Sequence, residues 1–435
     1  MTAIRIDTML YGGSGADEAG TALPFVLPGE LVELEASGAS RVLSPSPERV
    51  APGCIHFGEC GGCHYQHAAY PAQLAIKTGI LGDVLRAAGV TEMPAIEAHS
   101  AEPWHYRNRI RLRVGEGAGE GGGELRVGYN RYNAAGGDPL LPITMCPIAT
   151  PILWKTAATL LELARTDGVV HAWLSSAVEL ELFTNADESA LQLTLFARKL
   201  PAAGFDAFCR AVQHAVPQII GAGVAILPRK PSPQGRRSER PKPGAQWGTP
   251  GLIYKVDDDS HWVSRGGFFQ VNRHLVAELT RLATSGRSGE LAWDLYAGVG
   301  LFSRALARSF PQVLAVEAAE PAATDLAAAL AKAGKGKRHR ALAMTALDFL
   351  QAAVVQRERP SLIVMDPPRA GIGPEVCTLL LRVRAPELVY VSCDPVTLAR
   401  DLKQLTEGGY TLSELHLVDM FPQTFHMETV AVLRR

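Results

Sequence analysis

The sequence predicts a multidomain α/β protein whose last domain is a doubly wound sheet, and three observations predict it. At 435 residues the chain exceeds one ordinary domain. From Gly266 onward, short apolar runs alternate with helical patterns, as in a mostly parallel sheet with helices on both faces. Upstream, strands and helices are mixed, and residues 1 to about 45 carry only short apolar runs broken by glycine. With 47% hydrophobic and 20% charged residues, the domains can build real cores. The 43 basic residues nearly balance the 44 acidic ones, so any surface for a polyanion must be a local patch. There is neither a charged start followed by an apolar core nor a run of about 18 apolar residues, which predicts a soluble, cytoplasmic chain without membrane association.

Residues 1–50 read as a small β module, with strand-like segments at 3–6, 23–27 and 31–35 and turns at Gly12-Gly13, Gly15, Gly20 and Pro28-Gly29. A Pro-rich connector, 44–53, leads into Cys54, Cys60, Gly61, Gly62 and Cys63. The two glycines let the backbone turn tightly, so both flanking sulfurs can face one centre. With Cys146-Pro147 as a distant fourth ligand, this is a four-thiolate pattern suited to zinc or to an iron–sulfur cluster. Spacing does not separate the two metals, and His56 or His64 could replace a sulfur. Three cysteines within ten residues, in a compartment that reads as reducing, favour a metal centre over disulfides.

An amphipathic helix is expected over 70–88, ended by Gly89. The next segment, Trp104 to Val114, alternates with period two: Ile110, Leu112 and Val114 face a core, while Arg107, Arg109, Arg111 and Arg113 share the other face. Four like charges on one strand face repel unless something anionic covers them. RNA phosphates could do so, or Glu179 and Glu181 on the alternating strand 178–183 could pair with them across a sheet. Residues 115–123 read as a Gly-rich hairpin loop, followed by helices near 151–166 and 202–215 and strands near 177–184 and 190–197, with Cys209 as core packing. A basic, Pro-rich loop at 229–246, with Arg229, Lys230, Arg236, Arg237, Arg240 and Lys242, is either a solvated loop or an arm for RNA backbone. The central domain is expected to span 51–262.

The last domain, 263–435, opens with Phe269-Gln270-Val271-Asn272 leading into a helix. The strand 290–295, ending in Asp294-Leu295, runs into the turn Tyr296-Ala297-Gly298-Val299-Gly300 and a helix, and a second strand, 313–316, ends in Glu317. A strand, a glycine turn and a terminal acid make a nucleotide crevice. Ser303 stands where a dinucleotide fingerprint has its third glycine, which favours S-adenosylmethionine over NAD. A later strand, 361–365, ends in Asp366-Pro367-Pro368-Arg369 and points Asp366 into that crevice. The strand 388–391 is followed by Ser392-Cys393-Asp394-Pro395, with Asp394 as N-cap and Pro395 as first helical residue. Cys393 sits where strand becomes helix; the helix terminus favours its thiolate and Asp394 opposes it. A closing hairpin, 411–418 and 429–433, places Glu428 on the same edge as Cys393.

These motifs, together with Phe421-Pro422 and His426-Met427-Glu428-Thr429, resemble the RNA uracil-C5 methyltransferase family, in its iron–sulfur branch acting on 23S ribosomal RNA, over nearly the whole chain. Ala297 departs from a frequent cysteine, and Leu301 and Met344-Thr345 replace residues that are often polar in the family. The resemblance implies an N-terminal TRAM/OB-like β-barrel, a central α+β domain holding a [4Fe-4S] cluster on Cys54, Cys60, Cys63 and Cys146, and a C-terminal Rossmann-like class I methyltransferase domain. It also implies S-adenosylmethionine contacts from Gln270, Tyr296, Glu317 and Asp366, joined by Asp294, Gly298 and Gly300 of the glycine turn, with Cys393 as nucleophile and Glu428 as base. Arg107, Arg109, Arg111 and Arg369 are the candidate RNA contacts.

The chemistry asks for these residues independently. C5 of uracil is a weak nucleophile, but thiolate addition at C6 gives an enolate with carbanion character at C5. A base must then remove the C5 proton so that the thiol can leave, and the uridine must be splayed out of any stack. Transfer RNA is the alternative substrate, and the enzyme is expected to act as a monomer without an obligate protein partner. Two other readings are a non-catalytic RNA-binding assembly factor and an NAD-dependent oxidoreductase with a zinc site.

Overall fold

The computed structural model describes residues 2–34, 40–116, 123–133, 139–201, 203–228, 241–333 and 338–435. The chain divides into two compact units: residues 1–55, 63–103 and 268–435 form one, and residues 56–62 and 104–267 form the other.

Apolar runs too continuous to face water on either side build the main sheet of the first unit. Leu388, Val389, Tyr390 and Val391 are each fully buried, as expected for strands covered by helices on both faces. Among the described residues the sheet has eight strands, in the order Arg340–Leu342, Gln312–Val316, Leu291–Leu295, Leu362–Met365, Glu387–Ser392, Glu428–Arg434, Thr411–Val418 and Ile96–His99. The first five are parallel, and Glu428–Arg434 is antiparallel to both its neighbours. The outermost strand, Ile96–His99, comes from the distant N-terminal part of the chain and pairs in parallel with Thr411–Val418.

The expected helix appears at Tyr70–Ala87 and ends at Gly89, whose φ of 94° suits glycine. Its inward face is not simply apolar: Gln73 and Lys77 are buried beside Ile80, Leu81 and Leu85. Near the N-terminus, the described residues form two three-stranded sheets, Thr2–Arg5 with Leu31–Leu34 and Ser40–Ser44, and Thr8–Met9 with Ser14–Ala16 and Ala22–Pro24. Ile6, Val26 and Val32 are the small core there.

The second unit has a seven-stranded sheet among the described residues. Its order is Leu140–Pro142, Leu125–Asn130, Arg109–Glu116, Ala177–Thr184, Leu191–Ala197, Ile219–Ile226 and Lys242–Gly248. Only Leu191–Ala197 and Ile219–Ile226 are parallel neighbours, joined through the helix Phe205–Ala215. The helix Gly168–Ser176 was not expected from the sequence; Asp167 caps it by accepting from the Val169 and Val170 backbone N–H groups. Cys209 lies in the core, as expected. Residues 229–240 of the expected basic loop and 117–122 of the expected hairpin loop lie outside the described residues, and Lys242 opens the last strand.

Candidate active site

The nucleophile candidate is positioned by a strand ending and a helix beginning. Glu387–Ser392 stops one residue before Cys393, and Asp394 caps the helix Pro395–Glu407 by accepting from Val396 and Thr397 N–H. The Ser392 hydroxyl donates to the Asp394 carbonyl at 3.1 Å, which fixes the intervening turn. In the neighbouring strand Ser392 pairs with Thr429, so Cys393 and Glu428 leave the ladder together at one end.

The electrostatics of the pair differ from the sequence expectation. Burial, followed by the carboxyls of Glu428 and Asp366, pushes the Cys393 thiol up to about 12, while Arg369 opposes the rise. Desolvation and the two acids together outweigh the Arg369 cation. Burial also raises Glu428 well above the carboxylate range, with Asp366 adding and Arg369 subtracting. Glu428 is 2% exposed, and its Oε1 has no hydrogen-bond partner among the described residues.

A second set of acids lies at the carboxyl ends of the parallel strands. Asp294 accepts from the Ser303 hydroxyl and is pushed up to about 7, mainly by burial. The serine that stands in place of a third glycine is thus a buried partner for that acid. The Gln270 amide donates to Asp366 Oδ2 at 3.2 Å, and burial followed by Asp294 pushes Asp366 up to about 7. Glu317 closes the glycine turn, accepting from Gly298 N at 2.9 Å and from Ala319 N at 2.6 Å. The turn needs left-handed backbone at Tyr296, Gly298 and Gly300, with φ of 62°, 55° and 90°. Tyr296 packs on the main core, and burial, then Asp401 and Cys377, raise its hydroxyl to about 12.

Tyr11 and Phe425, which the sequence did not single out, join this region beside His64, His426 and Arg369, which it did. Tyr11 donates to Asp394 Oδ2 at 3.1 Å and meets the Phe425 ring edge-on. His64 and His426 also pack against Phe425, and Arg369 Nη2 lies 3.2 Å from His426 Nδ1. Behind the loop 419–427, Lys77 and Asp419 form an ion pair of 2.6 Å with both side chains fully buried. These partners lie more than 300 positions apart in places, and no local pattern announces them.

The remaining candidates fall in both units. Cys54 and Cys63 belong to the first unit, Cys60 and Cys146 to the second, and none of the cysteines is in a disulfide. In the second unit the Tyr129 hydroxyl lies 3.9 Å from Cys146 Sγ, and burial followed by Cys146 pushes that hydroxyl well above its ordinary value. On the arginine strand, the cross-sheet ion pairs are present and diagonal: Arg109 lies opposite Phe183 but pairs with Glu181 at 3.5 Å, and Arg111 lies opposite Glu181 but bonds Glu179 at 2.7 Å. Each guanidinium also covers an aromatic ring, Arg109 over Phe183 at 4.0 Å and Arg111 over Phe196 at 3.7 Å. Arg107 Nε donates to the Arg109 carbonyl, and Arg113 donates to Asn130.

A parallel sheet closed by an antiparallel strand, with acids at its strand ends, defines the class: a methyltransferase fold. The comparisons give the family. Residues 252–435 match the family model described as tRNA (Uracil-5-)-methyltransferase. The chain is 32% identical to the 23S rRNA (uracil(1939)-C(5))-methyltransferase RlmD of Chromohalobacter salexigens, over 90% of this chain and 78% of that one. It is 30% identical to the protein of the same name from Edwardsiella ictaluri, over 99% and 94%. A crystal structure of Pyrococcus abyssi tRNA (uracil-54, C5)-methyltransferase with S-adenosyl-L-homocysteine superposes with a TM-score of 0.73 and 22% identity, over 99% of this chain and 100% of that one. The chain belongs to the RNA uracil-C5 methyltransferase family, and it is an RNA-methylating enzyme.

Proposed function

We propose that the protein methylates C5 of a uridine in 23S ribosomal RNA, with Cys393 as nucleophile, Glu428 as base and S-adenosylmethionine as methyl donor. The observation that carries this is the placement of a half-buried thiol and a buried carboxyl with an unpartnered oxygen at one end of adjacent strands. The RlmD relatives, named for 23S rRNA, support the substrate. When bound, S-adenosylmethionine supplies an electrophilic methyl group to C5. Its fit rests on the left-handed turn at 296–300, on Glu317 at the end of the second strand, and on Asp294, whose buried Oδ1 has no partner among the described residues.

Burial favours the thiol form of Cys393, so its proton is released to water as Sγ bonds to C6, and the C5–C6 π electrons move toward O4 as an enolate. Arg369, the cation that favours the charged forms of both Cys393 and Glu428, helps the thiolate and the carboxylate to exist side by side. After C5 is methylated, Glu428 takes its proton, the electron pair restores the C5–C6 double bond, and the Cys393 thiolate leaves. A carboxyl made more basic by burial suits a carbon acid better than an ordinary one.

The same proposal takes Cys54, Cys60, Cys63 and Cys146 as ligands of a structural [4Fe-4S] cluster, because four thiolates are the donor set that such clusters use. Residues 1–50 would serve as a TRAM-like barrel, 51–262 as the cluster and RNA domain and 263–435 as the catalytic domain, in a cytoplasmic monomer. Arg107 and Arg369 are the better RNA contacts, since Arg109 and Arg111 are engaged by carboxylates. A transfer RNA uridine is the second reading, favoured by the substrate named for the Pyrococcus abyssi structure. Anaerobically purified protein, labelled S-adenosylmethionine and separate pools of unmodified 23S RNA and transfer RNA decide between them. Label in 5-methyluridine from 23S RNA is expected; label only in transfer RNA replaces the substrate, and no label in either defeats the proposal.

A further inference from the structure

At the free edge of the main sheet, two strands from opposite ends of the chain put two histidines and a carboxylate on one face. Glu97 and His99 are two residues apart on the strand Ile96–His99, and Glu414 and His416 are two apart on Thr411–Val418. Side chains two apart on a strand share a face. The parallel register sets His416 opposite Glu97 and Val418 opposite His99, which brings both pairs to the same patch. His99 Nε2 lies 3.1 Å from His416 Nδ1, and His416 Nδ1 lies 3.5 Å from Glu97 Oε2. One ligand atom from each of the three residues falls within 4.8 Å of the others.

We propose that His99 Nε2, His416 Nδ1 and the Glu97 carboxylate form a binding site for a zinc ion, with water in the fourth position. Ligand atoms about 2.0–2.1 Å from a tetrahedral zinc are separated from one another by roughly 3.3 Å, which the 3.1 and 3.5 Å separations bracket. Two imidazoles and one carboxylate suit zinc, whereas magnesium and calcium prefer oxygen-only sets.

The second observation is what the other ring nitrogens do. His99 Nδ1 is held 2.9 Å from Glu278 Oε1 on the helix Val276–Thr284, and His416 Nε2 lies 3.6 Å from Glu414 Oε2. Each histidine therefore turns one nitrogen to the shared point and the other toward a carboxylate, and the closer of these contacts, His99 to Glu278, is the outer partner that fixes the tautomer and ring orientation of a metal-binding histidine. The outer acids have their own cations: Arg281 bonds Glu278 and Arg434 bonds Glu414. Without a metal, the His99–His416 contact needs one ring nitrogen to donate and the other to accept.

The site would join three elements: the edge strand, the hairpin strand beside it and the helix packed on that face. Ile96–His99 is only four residues long and, among the described residues, pairs with one strand, Thr411–Val418. A cation bound by the folded state alone stabilises it by mass action. The site uses none of the four cysteines, so its ligand set is separate from that of the proposed cluster.

The test uses the full chain purified anaerobically with its cysteine centre intact. Thermal unfolding is followed with added zinc, and with magnesium as control, and cobalt(II) is then used as a spectroscopic probe. The expected result is a zinc-specific rise in melting temperature, with visible bands of tetrahedral cobalt that lack sulfur-to-cobalt charge transfer. Glu97 is exposed at the sheet edge, so Glu97→Gln should fold normally and bind at least 10-fold more weakly; Glu278→Gln should cost roughly 10- to 100-fold, as outer-shell partners do. His416→Ala should abolish the cobalt bands. Zinc that leaves the melting temperature unchanged, or cobalt bands that persist undiminished in Glu97→Gln and His416→Ala or that carry sulfur charge transfer, would overturn the site.

Discussion

Burial favours the uncharged forms of both Cys393 and Glu428, and the Arg369 cation opposes this for both. The consequence for pH is direct. Both groups act as anions and both are raised, so the rate of methyl transfer should climb with pH. Removing Arg369 raises both further, so in Arg369→Ala the ascending limb should move to higher pH; a limb that stays in place would deny Arg369 this role. Glu428→Gln should lower turnover by about 10²–10⁴-fold, the range for a lost general base. Because addition at C6 precedes deprotonation at C5, this variant should accumulate a covalent protein–RNA species, visible as a band that survives denaturing electrophoresis. Asp294 tests the other half of the crevice. An acid raised from 3.8 to about 7 in the folded protein stabilises most below its unfolded value, and loses that contribution as pH rises from about 4 to about 7. Asp294→Asn should flatten the fall in stability over that window by up to about 1.4 kcal/mol per pH unit, the weight of one proton, as read from denaturant melts across pH.

Between elements, the strongest constraint on the loop that delivers Glu428 is the helix Tyr70–Ala87. Lys77 Nζ donates to Asp419 Oδ1 at 2.6 Å and to the Phe421 carbonyl at 3.0 Å, while the Tyr70 hydroxyl donates to Asp419 Oδ2 at 2.9 Å. Gln73 Nε2 donates to Gln423 Oε1, and the Gln423 backbone N–H donates to Gln73 Oε1. Lys77→Met would leave Asp419 buried without its cation and should cost about 3–5 kcal/mol. Adding Asp419→Asn should return part of that loss, and a double-mutant cycle in which the two losses simply add would contradict the coupling. This face was not legible in the sequence. Periodicity placed the helix through Leu74, Ile76, Leu81, Val84 and Leu85, but it carries no signal for a buried lysine whose partner lies 342 positions away. The strand–turn–helix around Cys393 was legible because its determinants are local: apolar run, N-cap and first-turn proline lie in one stretch. The edge strand Ile96–His99 was not, since only its pairing with Thr411–Val418 makes it a strand.

Over the whole molecule, the near-balance of 43 basic and 44 acidic residues means that RNA binding must come from chosen arginines rather than from overall charge. The alternation of Trp104 to Val114 made the arginine face readable, and the same alternation on residues 178–183 made its acidic partners readable. What the sequence left open was the register, which sets Arg109 and Arg111 diagonally across from Glu181 and Glu179. Those pairs imply different outcomes for neighbouring residues. Arg109 is held between Glu181 and the Phe183 ring, so Arg109→Ala should lower thermal stability while leaving the dependence of RNA affinity on salt unchanged. An arginine that contacts phosphate instead contributes a released counterion, so its removal should reduce the slope of log K against log salt by about 1. Arg107→Ala is expected to do so, with little change in melting temperature. Fluorescence anisotropy of an RNA fragment at a series of salt concentrations, read beside a thermal melt of each variant, separates the two. A salt slope that falls in Arg109→Ala and holds in Arg107→Ala would reverse the assignment and place the phosphates over the carboxylate-paired end of the strand.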